Sequence, residues 1–450
     1  MVKFSLQEAA SALNGTLVGA DAKIMIEGIT TDSRYVSADS LFVALVGEFF
    51  DGHRFAKAAV ERGAICVLSH EDLGDIPHIR VENTKYAFLD LAKWYLEKFN
   101  VPVIGITGSA GKTTAKDMIA AVLSARFNVV KTEGNFNNEV GLPLTVFRID
   151  HTTEIAVLEM GMNQFGEIHN LSRVGTPEVC IITNIGDAHI GNLGSREGIL
   201  KAKSEIFNYA DKDAIAILNG DDILLNKIQP NVREILYFGT RETDFCRFEK
   251  LEDFGLDGTS WKMIVGGESF TINLSLPGDY LAYNAAVAVA VGVHFGMSAE
   301  EITKAFADFR PSKNRMDIFE INEATFINDV YNASPPSMRA MIDSILSAKR
   351  RKICVFGDML ELGHKSSDYH EEIGKYAKDA GVDALFLLGE FASDYERGYN
   401  KEAGGEVYCF NDINTLTARL KEYVKNGDTI LIKASRGMKF EQIVKELKEQ

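Results

Sequence analysis

The sequence predicts an α/β protein of three domains, with parallel sheets in the second and third. Three observations predict this. At 450 residues the chain is too long for one ordinary hydrophobic core. Short apolar runs ending in a polar or acidic residue alternate with helix-patterned segments, as in a parallel sheet covered on both faces. That pattern fills the middle of the chain and restarts after Arg310-Pro311-Ser312-Lys313. The expected boundaries are 1–98, 99–311 and 312–450.

Taken in order, residues 1–98 hold β-like runs at Leu41–Val46, Ala64–Leu68 and His78–Val81. Tyr86–Phe99 reads as an amphipathic helix stopping before Asn100 and Pro102. The middle domain offers strands at Val103–Ile106, Ile155–Glu159, Val179–Thr183 and Ala214–Leu218. Ligands collect at the carboxyl ends of such strands, so Thr107, Glu159, Thr183 and Asn184 are expected to converge on one crevice. The last domain offers the strand-like Ala324–Ile327, then four buried strands at Lys352–Phe356, Ala384–Leu388, Glu406–Phe410 and Thr429–Ile432, a Rossmann-like unit. Two such units with one shared loop suggest a cleft that closes on its substrates.

Composition narrows the partners. A content of 46% hydrophobic and 25% charged residues is that of a globular protein. A net charge of −16 disfavours nucleic acid or an anionic membrane as the main partner, yet permits a phosphorylated substrate in a local cationic pocket. No signal-peptide pattern opens the chain, and no apolar run approaches the ~18 residues of a membrane span. The five cysteines are scattered without a C-x-x-C pair, and Cys66, Cys180, Cys354 and Cys409 read as buried reduced thiols. A cytoplasmic location and a monomer are the expectations.

The most informative segment is Val101–Thr114, an apolar run, a glycine-rich turn, then Lys112, Thr113 and Thr114 opening a helix. Such a loop turns backbone N–H groups toward a polyphosphate, and the helix adds the positive end of its dipole. Lys112 suits the β/γ-phosphates and the Thr113 hydroxyl suits Mg²⁺. The glycine spacing is unusual: the common pattern needs glycine at position 106, where Ile106 stands. Binding of a nucleoside triphosphate is expected.

Other residues are weaker pointers. Glu159, at a strand end beside the loop, is placed to hold Mg²⁺ directly or through water; an acid capping the next helix is the plainer alternative. His189 follows a strand end in a glycine-containing turn, where structural and functional roles are equally open. Lys203, in a charged helix-like segment, reads as a solvated surface lysine. Asn328–Ser337 is a polar turn dense in hydrogen-bonding groups, and Lys433, Ser435 and Arg436 at the last strand's end suggest an anion site or surface salt bridges.

Together these segments resemble the Mur ligase family, the ATP-dependent amide ligases of peptidoglycan precursor synthesis. The resemblance covers nearly the whole chain. It is carried by Thr31–Arg34, Phe42–Leu45, Asp51–His53, Thr107–Thr114, Gly134–Asn138, Glu159–Gly161, Thr183–His189, Asp329–Asn332, Gly357–Gly363 with His370, and Lys433–Arg436. It implies an N-terminal α/β domain for a uridine substrate, a central P-loop ATPase-like domain and a C-terminal Rossmann-like domain. It also implies ATP held by Thr107, Gly108, Ser109, Ala110, Gly111, Lys112, Thr113 and Thr114. Asn284, Arg315 and Asp329 would lie around the nucleoside. One Mg²⁺ would sit on Thr113 and Glu159, and a second on His189 and a carbamylated Lys203. Ser33, Arg34, Asn138, Asn332, Lys433 and Ser435 would meet the other substrates. Gly357–Gly363 points to the branch whose substrates are UDP-N-acetylmuramoyl-tripeptide and D-alanyl-D-alanine, and the Asp-Asn-Pro-Arg box of the branch adding the third amino acid is absent.

Four positions depart from the family pattern: Ser334 where Asn stands in Tyr-Asn-Ala-Asn-Pro, Asn314 and Ala434 where Gly is usual, and Tyr280 in place of His. They bear on nucleoside and dipeptide binding and remove no phosphate or metal group.

Overall fold

The computed structural model describes residues 1–311, 314–400 and 405–449. Ser312 and Lys313, where the third domain is expected to begin, therefore lie outside the described residues, as does Gln450.

The chain builds three main sheets. In the N-terminal unit five strands run in the order Thr16–Val18, His78–Arg80, Ala64–Ser69, Ser40–Val43, Gly28–Thr30, parallel except at the first pair. The helix Thr84–Leu96 starts at Asn83, whose side chain accepts from the Lys85 and Tyr86 amides, an N-cap. It is buried against the helices Gly141–Val146 and Glu167–Gly175, so the first unit is welded to the second.

The central sheet has nine strands. Its parallel part places Val103–Thr107 between Ile155–Glu159 and Val179–Ile182. Ile104 and Ile106 belong to the cluster on one face and Val103 to that on the other, as do Ile155 and Val157 against Ala156 and Leu158. Both faces are thus covered, which explains the continuous apolar runs. Ile106 is fully buried and pairs in register with Glu159 and Ile181, so the expected glycine position is simply strand here. Sequence reading missed the sheet's far side, an antiparallel meander of Cys246–Asp253, Thr259–Val265 and Glu268–Leu274. Its hairpin turns on Gly266 and Gly267, both at positive φ, the backbone a two-residue type I′ turn needs.

The C-terminal sheet runs Asp317–Ile321, Ala324–Asp329, Thr429–Lys433, Lys352–Gly357, Ala384–Leu388, Glu406–Phe410, parallel after the first pair. Glu406–Phe410 was expected to be buried but is the edge strand, and its Cys409 is exposed. Edge position leaves one side of the strand without a neighbour, so its side chains reach solvent. Among the described residues no helix is long and apolar enough to cross a membrane.

Candidate active site

The loop between Thr107 and Lys112 is shaped by two glycines at positive φ. Gly108 has φ +152°, and a Cβ there would fall 1.9 Å from Thr183 Oγ1. Gly111, at φ +78°, is the N-cap of the helix Lys112–Ser124 and faces Asn284 Oδ1. The end of the neighbouring strand grips the loop. Thr183 Oγ1 donates to Ala110 O at 2.7 Å, Asn184 Oδ1 accepts from Ala110 N at 2.9 Å, and Ser109 Oγ accepts from Gly186 N at 2.8 Å. Of the four residues expected to converge on one crevice, Glu159, Thr183 and Asn184 border it, while Thr107 is buried behind the loop.

Two lysines meet behind the loop. Lys112 Nζ donates to Gly108 O at 2.7 Å, and Lys203 Nζ donates to the same oxygen at 2.9 Å. Lys203 is 1% exposed, so the surface reading is wrong. It lies four residues after buried Ile199 on the inner face of the helix Arg196–Lys203. Burial, and secondarily the Lys112 charge, hold the Lys203 amine well below the ordinary lysine range. Burial also lowers Lys112, against the pull of Glu159.

Glu159 ends its strand buried. Its Oε2 accepts from Thr113 Oγ1 at 2.8 Å, and its Oε1 accepts from Asn137 Nδ2 at 2.8 Å. Lys116, also buried, lies 3.9 Å away and donates to Thr132 O at 2.6 Å. The hydroxyl and carboxylate oxygens of Thr113 and Glu159 border the cavity together, a hard-oxygen donor pair of the kind Mg²⁺ takes. His189, at φ +64°, sets Nδ1 2.7 Å from Glu361 Oε2, and this contact holds the Glu361 carboxyl below its usual range. That leaves Nε2 as the ring's other donor atom.

Residues of the third unit close the site. Arg315 Nη2 donates to Thr113 Oγ1 at 2.9 Å while its guanidinium lies 3.8 Å over the Tyr331 ring. Lys433 is buried and paired with Asp329, and it donates to Asn332 O at 2.9 Å. Its charge is therefore already matched. Ser435 Oγ accepts from Leu360 N at 2.9 Å, pinning the Gly357–Gly363 segment.

One cavity of about 990 Å³ lies at this site, with Lys203, Lys116 and Gly108 behind its lining. It is lined by Ser109 to Thr114, Asn138, Glu159, His189, Asn284, Arg315, Asp329, Asn332, Lys433 and Ser435, with Val46 and Lys85 from the first unit. Thr107 and Gly108 sit behind the loop. Ser33 and Arg34 do not line it; they form a short turn opened by Asp32, which pairs with Arg34 at 2.6 Å and is held by it at about 2. Sequence reading singled out neither Glu361 nor Tyr331 as functional, and only Glu361 carries a signal, as the acid midway through Gly357–Gly363.

The departures have local reasons. Asn314 has φ +64°, where glycine is easiest and asparagine next. Ser334 is the N-cap of the helix Pro335–Ser344. Tyr280 sends its hydroxyl to Met316 and Met341 sulfurs at 3.4 Å, and burial pushes its phenol up. Ala434 is fully buried beside Gly357.

Comparison with known proteins agrees along the whole chain. Three family models match: Mur ligase family, catalytic domain, over 25–123; Mur ligase middle domain, over 106–292; and Mur ligase, glutamate ligase domain, over 314–436. The UDP-N-acetylmuramoyl-tripeptide–D-alanyl-D-alanine ligase of Bacillus subtilis is 39% identical over 458 residues, covering 100% of this chain and 99% of that one. A crystal structure of MurF from Acinetobacter baumannii superposes with a TM-score of 0.93 at 29% identity, covering both chains fully. MurF ligase from Thermotoga maritima, in complex with ADP, gives 0.82 at 30% identity over 94% of this chain and 98% of that one.

Proposed function

The chain belongs to the Mur ligase family, and from that premise we propose how its site works. It is an ATP-dependent ligase that joins D-alanyl-D-alanine to UDP-N-acetylmuramoyl-tripeptide in peptidoglycan precursor synthesis, the activity its full-length relatives carry by name. The observation that carries this reading is one cavity bordered by the phosphate loop and by residues of all three units.

The reaction runs in two steps. The terminal carboxylate of the tripeptide attacks the γ-phosphorus of ATP; the new O–P bond forms as the bond to the bridging oxygen breaks, leaving an acyl phosphate and ADP. The dipeptide amine then attacks the acyl carbon, and the tetrahedral intermediate loses phosphate and the amine proton. Two anions must meet in the first step, so charge neutralisation dominates. Lys112 and the loop N–H groups bind the phosphates. Arg315, stacked on Tyr331, carries the third unit's positive charge to Thr113. Asn284 and Asp329 border the nucleoside. Asn138, Asn332, Lys433 and Ser435 orient the acyl and amine substrates, and Ser33 and Arg34 meet the uridine diphosphate. Closure of the cavity keeps water from the acyl phosphate.

Thr113 and Glu159 would hold one Mg²⁺, and His189 with a carbamylated Lys203 a second. When bound, these ions supply positive charge between the two anions. The carbamate forms when the neutral Lys203 amine attacks CO₂, making an N–C bond and releasing a proton. Supporting it, the amine is buried, lowered in pKa and bonded to a carbonyl rather than a carboxylate. The enzyme works as a monomer in the cytoplasm.

Phosphate release from ATP, with UDP-N-acetylmuramoyl-tripeptide and with or without D-alanyl-D-alanine, tests the function. Release is expected to need both. Release indifferent to the dipeptide would leave a nucleotide site and remove the ligase. Lysine and diaminopimelate tripeptides compared in the same assay identify the acceptor.

A further inference from the structure

The N-terminal unit carries a second cluster of ligating groups, none of which lines the cavity. It begins at Asp51, which opens the short turn Gly52–Phe55. Asp51 Oδ1 accepts from the His53 amide at 2.9 Å and from His53 Nδ1 at 2.6 Å. Asp51 Oδ1 already takes the His53 amide hydrogen and so serves as an acceptor in this pairing. Nδ1 must then carry the hydrogen, and in the neutral ring the lone pair sits on Nε2. His53 is 7% exposed, and Nε2 is buried with no protein partner. A buried lone pair in that state is open to a ligand.

His70 and Glu71 complete the cluster. They follow the strand Ala64–Ser69, and Ser69 fixes their turn by donating to Glu71 O at 2.8 Å and accepting from Glu71 N at 2.9 Å. The His70 ring stands edge-on to His53, with centroids 4.3 Å apart. One ligand atom from each of the three residues lies within 4.8 Å of the other two. A tetrahedral ion with bonds of about 2.1 Å wants donors about 3.4 Å apart. Rotation of His70 and Glu71, the less buried pair, closes that gap.

We propose that His53, His70 and Glu71 bind a borderline-soft divalent cation, Zn²⁺ foremost, at a site separate from the catalytic cavity. Two imidazoles and one carboxylate, with a fourth position for water, suit zinc, whereas Mg²⁺ prefers oxygens alone. Asp51 is the outer partner that fixes the ligand's tautomer. The ion clasps the turn at Asp51–Phe55 to the end of the strand Ala64–Ser69. Asp51 bridges back to Val46, which borders the cavity, so occupancy stiffens the 46–51 loop beside it.

Zinc titration of the chelator-stripped full chain by calorimetry, in excess Mg²⁺ to fill hard-oxygen sites, tests this. One tight Zn²⁺ per chain is expected. His70→Ala and Glu71→Gln should each weaken it at least about tenfold, because losing even an outer partner costs ~10–100-fold. Co²⁺ should give the visible bands of a four-coordinate site in the unaltered chain and not in His70→Ala. Both variants alter side chains that are not buried, and far-UV circular dichroism checks their folding. Absence of tight Zn²⁺ binding, or equal affinity in folded His70→Ala, overturns the site.

Discussion

Lys112 and Lys203 donate to one carbonyl oxygen, Gly108 O, at 2.7 and 2.9 Å. Burial, and secondarily the like charge of Lys112, lower the Lys203 amine, and burial lowers Lys112 as well. Lys203 is the more buried and the more strongly lowered of the two. Behind the phosphate loop, burial thus disfavours the charged form of both lysines, that of Lys203 the more.

Lys203→Ala should lose most of its turnover, and short carboxylic acids should restore part of it by standing in for the carbamate. Stripping CO₂ from the unaltered enzyme should lower the rate, and bicarbonate should restore it. An unaffected variant, or a rate indifferent to CO₂, removes the carbamate.

The lowered lysine also shapes stability against pH. Between its folded pKa and the ordinary 10.5, the unfolded chain holds a proton on Lys203 that the folded chain lacks. Stability contributed by this group therefore rises with pH across that window. Lys203→Met should flatten the rise, read as the difference between urea unfolding curves of the two proteins. Parallel curves would mean that Lys203 keeps its proton on folding.

Lys112→Ala should cut kcat by about 10²–10³ or more, the cost of losing a charge aimed at the transferring group, with an unchanged circular dichroism spectrum. Near-normal turnover would move the phosphate site elsewhere.

Glu361→Gln should raise the Mg²⁺ concentration for half-maximal rate by about tenfold, since outer partners of a ligating histidine tune metal affinity by ~10–100-fold. An unchanged Mg²⁺ requirement would reduce the His189–Glu361 pair to a contact between units.

Ser33→Ala and Arg34→Ala should raise KM for the uridine substrate more than KM for ATP. Neither residue borders the main cavity, so a larger effect on ATP would contradict the division of labour between the units.

Much of the architecture was legible because parallel strands announce themselves: Ile155–Glu159 and Ala384–Leu388 were read to the residue. The meander from Cys246 to Leu274 was missed although Glu268–Leu274 alternates polar and apolar residues and two glycines precede it, both signals of a hairpin. In the site, the phosphate loop was plain from local sequence. Lys203 was hidden by its charged neighbours, although Ile199 and Ala202 at helical spacing mark its face as buried. Glu361 meets His189 only through tertiary packing, which no local pattern encodes.

The side chains of Thr183 and Asn184, at the end of a central strand, hold Ala110 by both its N–H and its C=O. A loop that recognises its ligand through main-chain groups is usually its own worst enemy, since every loose peptide must be ordered on binding. Here the sheet does that ordering during folding. The strand Val179–Ile182 pairs in register with Ile104–Thr107, so the cradle inherits the rigidity of the sheet's centre. Nucleotide recognition is consequently preorganised, and a slip of one residue in that pairing would dismantle the cradle without changing any residue in it.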